Sequence, residues 1–184
     1  MVYIRDITST EMSIVLTLVK SPEVIYNANS LSKSVGITPM GALKILRRLD
    51  QETILKSKKI GKSITYRVNV ADSYVQRYLS LILSREAQFA SPNVKKWVNE
   101  LRKIESADVL VLFGSVLEKL NPNDIDLLVI TDQKRFKKMQ HEISQLNKMT
   151  LNKIHPMYQT YEDIIKNIKN RDRTLLSAIK GIVL

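Results

Sequence analysis

The chain has no cysteine, which excludes disulfides, thiolate metal sites and a cysteine nucleophile, and which fits a cytoplasmic protein. No apolar run approaches the roughly 20 residues that a membrane-crossing helix requires. Near the start, Arg5, Asp6 and Glu11 interrupt any stretch that could form the apolar core of a signal peptide. Internal repeats, low-complexity tracts and a long flexible linker are also missing, so no membrane partner is expected. Acidic side chains are in deficit, with 18 Asp and Glu against 29 Lys and Arg in 184 residues and a formal charge of +11. The excess is spread along the chain, 13 basic against 7 acidic in residues 1–90 and 16 against 11 in residues 91–184. A polyanionic partner follows from that balance, although charge alone does not separate DNA from RNA or an anionic surface.

What is present changes character near Ser91-Pro92, and the length suits two small domains. Before that point the pattern is helical and then β-prone. Apolar positions Met12, Val15, Leu16 and Val19 recur at helical spacing over 10–20, ending at Ser21-Pro22. Asn29 or Ser30 is placed to cap a second helix that stops at Gly36. Thr38 caps a third, with Pro39 at its first position, where the missing N–H costs nothing. Ala42, Ile45, Leu46 and Leu49 fall on one face of that helix, leaving Met40, Gly41, Lys44, Arg47 and Arg48 on the others. Two short β-prone runs, 53–56 and 63–69, are joined through Lys58-Lys59-Ile60-Gly61-Lys62. From Thr53 to Ala71 there are five basic residues and no acidic one.

Helix, turn, helix and basic hairpin in this order resemble the winged helix-turn-helix transcription regulators. The resemblance implies double-stranded DNA as partner. Thr38, Met40, Gly41 and Lys44 would meet base edges in the major groove, Arg47 and Arg48 would stand beside them, and Lys58, Lys59, Lys62 and Arg67 would lie along phosphates. A helix is predicted over 71–89, with Tyr74, Val75, Tyr78, Leu79, Ile82 and Phe89 making a stripe broad enough to serve a homodimer as well as its own domain. Trp97, with Val94, Val98 and Leu101 at helical spacing, reads as an anchor between the domains.

The second half carries the chemistry. Two apolar runs, 108–113 and 124–130, bring a Gly114-Ser115 and an Asp124-Ile125-Asp126. In an extended strand alternate side chains share a face, so the two carboxylates project together and repel each other unless a cation lies between them. Oxygen ligands suit a hard divalent ion. Gly114 and Ser115, ending a strand and opening a predicted helix, would offer backbone N–H groups and a hydroxyl to phosphates. Further on, 152–158 reads as a strand containing His155 and no acid, while Glu162 and Asp163 open a helix over 161–169 as complements to its dipole. A helix over 134–148 buries Phe136, Met139, Ile143 and Leu146, and its Lys134, Arg135, Lys137 and Lys138 form a basic cluster.

A strand ending in Gly-Ser followed by a strand with Asp-hydrophobic-Asp resembles the minimal nucleotidyltransferases of the DNA polymerase β superfamily, over residues 94–184. The resemblance implies an NTP as donor or ligand, Mg²⁺ or Mn²⁺ held by Asp124 and Asp126, and phosphates held by Gly114 and Ser115. Where relatives carry Arg and Gly soon after Gly-Ser, this chain has Val116, Leu117, Glu118 and Lys119, so Lys119 is the one residue able to restore positive charge. His155 stands about where a third catalytic carboxylate would be, and is the candidate base.

The expected fold is α/β (α+β): a winged helix-turn-helix domain over 1–70, a connecting and dimerising helix over 71–91, and a nucleotidyltransferase-like mixed sheet flanked by helices over 92–184. The function read from it is a DNA-binding transcription regulator whose second domain binds NTP and metal and is able to transfer a nucleoside monophosphate to a protein or nucleic-acid acceptor. Two alternatives keep the same residues: an inactive nucleotide-sensing or dimerising regulator, and a nucleic-acid-modifying nucleotidyltransferase that holds its substrate with the winged helix.

Overall fold

The computed structural model describes residues 6–184, so Arg5 lies outside the described residues. Those residues form eight α-helices and two sheets, and the chain divides between Ile82 and Leu83 into two compact units.

In the first unit α1 (Ser9–Lys20) begins at Thr8, whose hydroxyl accepts the Glu11 N–H at 3.2 Å. A two-residue strand β1 (Tyr26–Asn27) leads into α2 (Ala28–Val35), which stops at Gly36 in the left-handed conformation. The cap of α2 is Asn27, not Asn29 or Ser30. Its Oδ1 accepts the Ser30 N–H at 2.8 Å, and the Ser30 hydroxyl accepts the Asn27 N–H at 3.0 Å, so Ser30 is the far half of a reciprocal capping box. The third helix, α3 (Pro39–Gln51), is capped by Thr38 with proline at its start, as the spacing predicts. Strands β2 (Leu55–Ile60) and β3 (Ser63–Val68) follow and pair antiparallel, with β1 on the outer side of β3. This is a winged-helix arrangement. The hairpin is longer than expected: Ile60 pairs with Ser63, so the turn is only Gly61-Lys62, and Lys58 and Lys59 are strand residues.

Ile14, Val15, Leu31, Leu46, Leu49, Ile54, Leu55 and Tyr66 close the core of this unit, joined by Val75, Tyr78 and Ile82 of α4 (Ser73–Phe89). The break between the units falls within α4, and Ala87, near its end, belongs to the core of the second unit. Tyr74 and Phe89, two members of the predicted stripe, are exposed.

The second unit opens with α5 (Pro92–Leu101) and then builds a sheet from β4 (Val109–Phe113), β5 (Asp124–Ile130), β6 (Lys153–Gln159) and β7 (Ile182–Val183) in the order β6-β5-β4-β7. The pairs β4/β5 and β4/β7 are antiparallel and β5/β6 is parallel, with α6 (Phe136–Met149) as the crossover. Ile125, Leu127 and Val129 face a cluster containing Met139, Ile143 and Trp97. Leu128 and Val111 face the opposite cluster, with Leu175 and Ala178 of α8 (Arg173–Ala178) and Ile164 and Ile168 of α7 (Tyr161–Lys169). Trp97, read from sequence as an anchor between domains, is instead a core residue of this unit, because Val94, Val98 and Leu101 turn the same face of α5 inward. Pro156 sits on β6, an edge strand, where its missing N–H removes no bond from a central ladder.

Candidate functional site

Strand β5 starts at Asp124, and its alternation buries Ile125 while leaving Asp124 and Asp126 half-buried on the other face. The parallel register sets Lys153 opposite Asp124 and His155 opposite Asp126, so the imidazole arrives on the carboxylate face. Its Nδ1 lies 3.2 Å from Asp124 Oδ2. One ligand atom from each of Asp124, Asp126 and His155 can be chosen so that all three lie within 4.8 Å of one another. Lys153 does not neutralise the pair. Its Nζ donates to the carbonyls of Asn147 and Thr150, at 2.6 and 3.1 Å, at the C-terminal end of α6, where a cation complements the helix dipole.

On the other side, β4 pairs Phe113 with Asp126, and the next residue is Gly114. Gly114 has φ of 78°, and a Cβ there would fall 2.1 Å from Asp126 Oδ2. Backbone and carboxylate therefore approach at a distance only glycine allows. The segment after it is a four-residue 3₁₀ turn, Gly114–Leu117, rather than the predicted helix, so the dipole invoked for phosphate binding is that of a single turn. No side chain caps this turn. The Ser115 carbonyl accepts the N–H groups of Glu118 and Lys119, which holds the backbone while the Lys119 side chain stays exposed.

Partial burial raises the Asp126 pKa first and the neighbouring Asp124 charge raises it further, with His155 pulling it down. Such a carboxyl is stabilised by added positive charge. Two carboxylates and an imidazole, with no lysine or arginine paired to them among the described residues, are a donor set that fits a divalent cation. The basic cluster around the start of α6 is partly committed elsewhere: Arg135, just before the helix, pairs with Asp108, and Lys138 lies 3.8 Å from Glu142. At the other end of β5 and β6 a cavity of about 420 Å³ is lined by Thr131, Phe136, Tyr158 and Asp163 among others, and none of the sequence-predicted site residues reaches it.

In the first unit, Met40, Lys44 and Arg47 are exposed along α3, while Gly41 is half-buried beside Thr38, whose oxygen accepts the Gly41 N–H at 3.1 Å. Arg48 differs. Its Nη2 lies 2.6 Å from Glu11 Oε2, and Glu11 is fully buried and also accepts the Tyr78 hydroxyl at 2.7 Å. Arg48 thus ties α3 to α1 and also stands 3.8 Å from Glu52 Oε1, so its guanidinium is more engaged within the unit than those of its neighbours on α3. Sequence reasoning missed Glu11, because an acid in the first turn of a helix reads as a dipole complement on the surface.

Asp50, near the end of α3, accepts the Ser57 N–H at 2.9 Å and its hydroxyl at 2.8 Å, which fixes the wing relative to the helix. On the wing, Lys56 pairs with Arg67 and Lys58 with Thr65, so these side chains share one face, whereas Lys59 pairs with Ile64 on the other and Lys62 sits in the turn. Lys56, Lys58 and Arg67 line a groove of about 620 Å³ together with Ile25 and Ile60. No helix among the described residues is long and apolar enough to cross a membrane.

No protein-family model and no curated protein matches the chain. Among solved structures, a predicted DNA-binding transcriptional regulator from E. coli is 17% identical over 45% of this chain and 79% of its own, with a TM-score of 0.36. The AntR antimony-specific transcriptional repressor is 29% identical over 44% of this chain and 71% of its own, also at 0.36. Lactococcus lactis ZitR in complex with DNA is 17% identical over 55% of this chain and 77% of its own, at 0.32. At such TM-scores the likeness is too low to carry function across, and the winged-helix assignment stands on the order and pairing of the elements.

Proposed function

We propose that the chain is a DNA-binding regulator whose second unit binds a nucleoside triphosphate together with a divalent cation. The observation that supports this reading best is the convergence of Asp124, Asp126 and His155 within 4.8 Å, pressed against a glycine that admits no side chain. Asp124 and Asp126 would hold the cation. Gly114 and Ser115 would present an N–H and a hydroxyl to phosphate oxygens, and Lys119 would add positive charge from the exposed segment behind them. A bound cation would supply charge neutralisation and polarise the phosphoryl group.

On the transferring form of this reading, an acceptor hydroxyl of a protein or RNA bonds to the α-phosphorus as the bond to pyrophosphate breaks, and His155 takes the hydroxyl proton. Label transfer from each of the four α-³²P NTPs, with Mg²⁺ or Mn²⁺ and with protein, RNA and DNA acceptors, tests it. Transfer that is lost in Asp124→Asn/Asp126→Asn supports it, and absent transfer with nucleotide binding intact removes the catalytic half. One observation favours the non-transferring alternative: the third group is an exposed imidazole already paired with Asp124, not a carboxylate. The first unit would hold duplex DNA through α3 and the basic wing, and a mobility shift on random-sequence and genomic duplexes tests that independently. A homodimer through α4 remains part of the proposal, with sedimentation velocity as its test.

A further inference from the structure

We propose that the carboxylate site is selective for a first-row transition cation over Mg²⁺, takes one such ion, and uses His155 as a ligand. This rests on reading Asp124 and Asp126 as cation-binding. The register of β5 and β6 puts the imidazole on the carboxylate face, with Nδ1 3.2 Å from Asp124 Oδ2. The side chain is 62% exposed and Asp124 is its one hydrogen-bonding or ionic partner among the described residues, so packing does not account for its position. Lys153, the neighbouring strand residue on the same face, directs its charge to the end of α6.

Mg²⁺ demands oxygen ligands and gives up water reluctantly, whereas an imidazole nitrogen suits the first-row transition divalent ions, Mn²⁺ least strongly as the first of the affinity series and the later ions more. A donor set of two carboxylates and a neutral ring carries two negative charges, which one divalent ion balances. Among the described residues no further acid joins the cluster, so a second ion has no carboxylate of its own. As a ligand His155 gives up the role of base it has in the transferring form of the proposed function, whose hydroxyl proton then passes to water, and a bound nucleotide would complete the coordination of a single ion.

The test uses the full chain without nucleotide and follows Mn²⁺ and Mg²⁺ by titration calorimetry, with pulsed electron paramagnetic resonance reading imidazole nitrogen coupling to bound Mn²⁺. The expected result is one Mn²⁺ per chain, nitrogen coupling present, and Mn²⁺ bound at least about tenfold more tightly than Mg²⁺. His155→Ala, which removes a direct ligand, should weaken Mn²⁺ by at least the roughly 10–100-fold that loss of an outer-shell partner costs, leave Mg²⁺ within about twofold, and abolish the coupling even though His141 remains. His155→Asp, an all-oxygen set, should turn the preference towards Mg²⁺. Equal affinity for the two ions, no nitrogen coupling and no effect of His155→Ala would overturn this inference while leaving the cation site in place, provided Asp124→Asn still abolishes binding. No binding of either ion, in the native chain and in His155→Asp alike, would overturn the underlying reading of the carboxylates.

Discussion

Gly114 shows how one residue can be constrained twice, by a φ of 78° and by the Asp126 oxygen 2.1 Å from where a Cβ would stand. Gly114→Ala is expected to cost about 1–3 kcal/mol of stability through backbone strain, and to weaken cation binding because Asp126 must move aside. Thermal unfolding with and without Mn²⁺ measures both. A second residue, Glu11, carries a charge with no exposure, made tolerable by Arg48 and Tyr78. Glu11→Ala should destabilise the first unit by about 1–3 kcal/mol, since it removes the buried acceptor of the Arg48 and Tyr78 hydrogen bonds, and urea unfolding monitored in that unit checks it. The contrast with its neighbour is informative: Arg47→Ala should leave stability nearly unchanged and lower the salt-dependence slope of DNA binding by about one. These differences were not legible in the sequence. Arg47 and Arg48 are adjacent and alike, and only the tertiary position of Glu11 separates them. Asp124 and Asp126 were legible, because the two-residue period of a strand places both on one face whatever the rest of the fold does.

At the level of elements, α3 could be read because it carries a cap and a repeating apolar face, in Thr38, Pro39, Ala42, Leu46 and Leu49, whereas α6 has no side-chain cap and was readable from its apolar face alone. Strands β1 and β7, of two residues each, could not, since two residues carry no period and their pairing is set by partners far along the chain. The wing was placed correctly but its ladder was underestimated: a run of lysines has little β-propensity, and cross-strand pairing with Ser63 to Val68 overrides it. The loop before β4 is tied to α6 by Glu142, which accepts the Ser106 N–H at 3.1 Å and hydroxyl at 2.7 Å. Burial alone would raise the Glu142 pKa, but the bonds from Ser106 and the charge of Lys138 outweigh it, so the carboxyl sits below its ordinary 4.5. A lowered acid pKa contributes stability that is fully present above the unfolded value and is lost as pH falls through the folded one. The second unit should therefore lose stability as pH drops below about 4.5, and Glu142→Gln should flatten that part of the profile in a pH series of melting temperatures.

At the level of the whole molecule, the charge of +11 is shared between two units with separate cores, and α4 contributes to both, through Val75, Tyr78 and Ile82 in one and Ala87 in the other. An unbroken helix offers a covalent route by which occupancy of one unit can bias the other. If the second unit binds nucleotide and the first binds DNA, any effect of nucleotide on DNA affinity must equal the effect of DNA on nucleotide affinity, because both are one coupling free energy. The expected outcome is a reciprocal change of about 5–150-fold, the usual range for such coupling, seen as a shift in duplex affinity on adding Mn²⁺ and ATP or GTP and as the same factor in nucleotide titrations with and without duplex. Leu83→Gly/Ser84→Gly, at the break between the units, should weaken the helix by about 1–1.5 kcal/mol and reduce the factor towards one while each ligand still binds alone. Equal DNA affinities with and without nucleotide in the native chain would mean that the two units are independent modules that share a chain but no free energy.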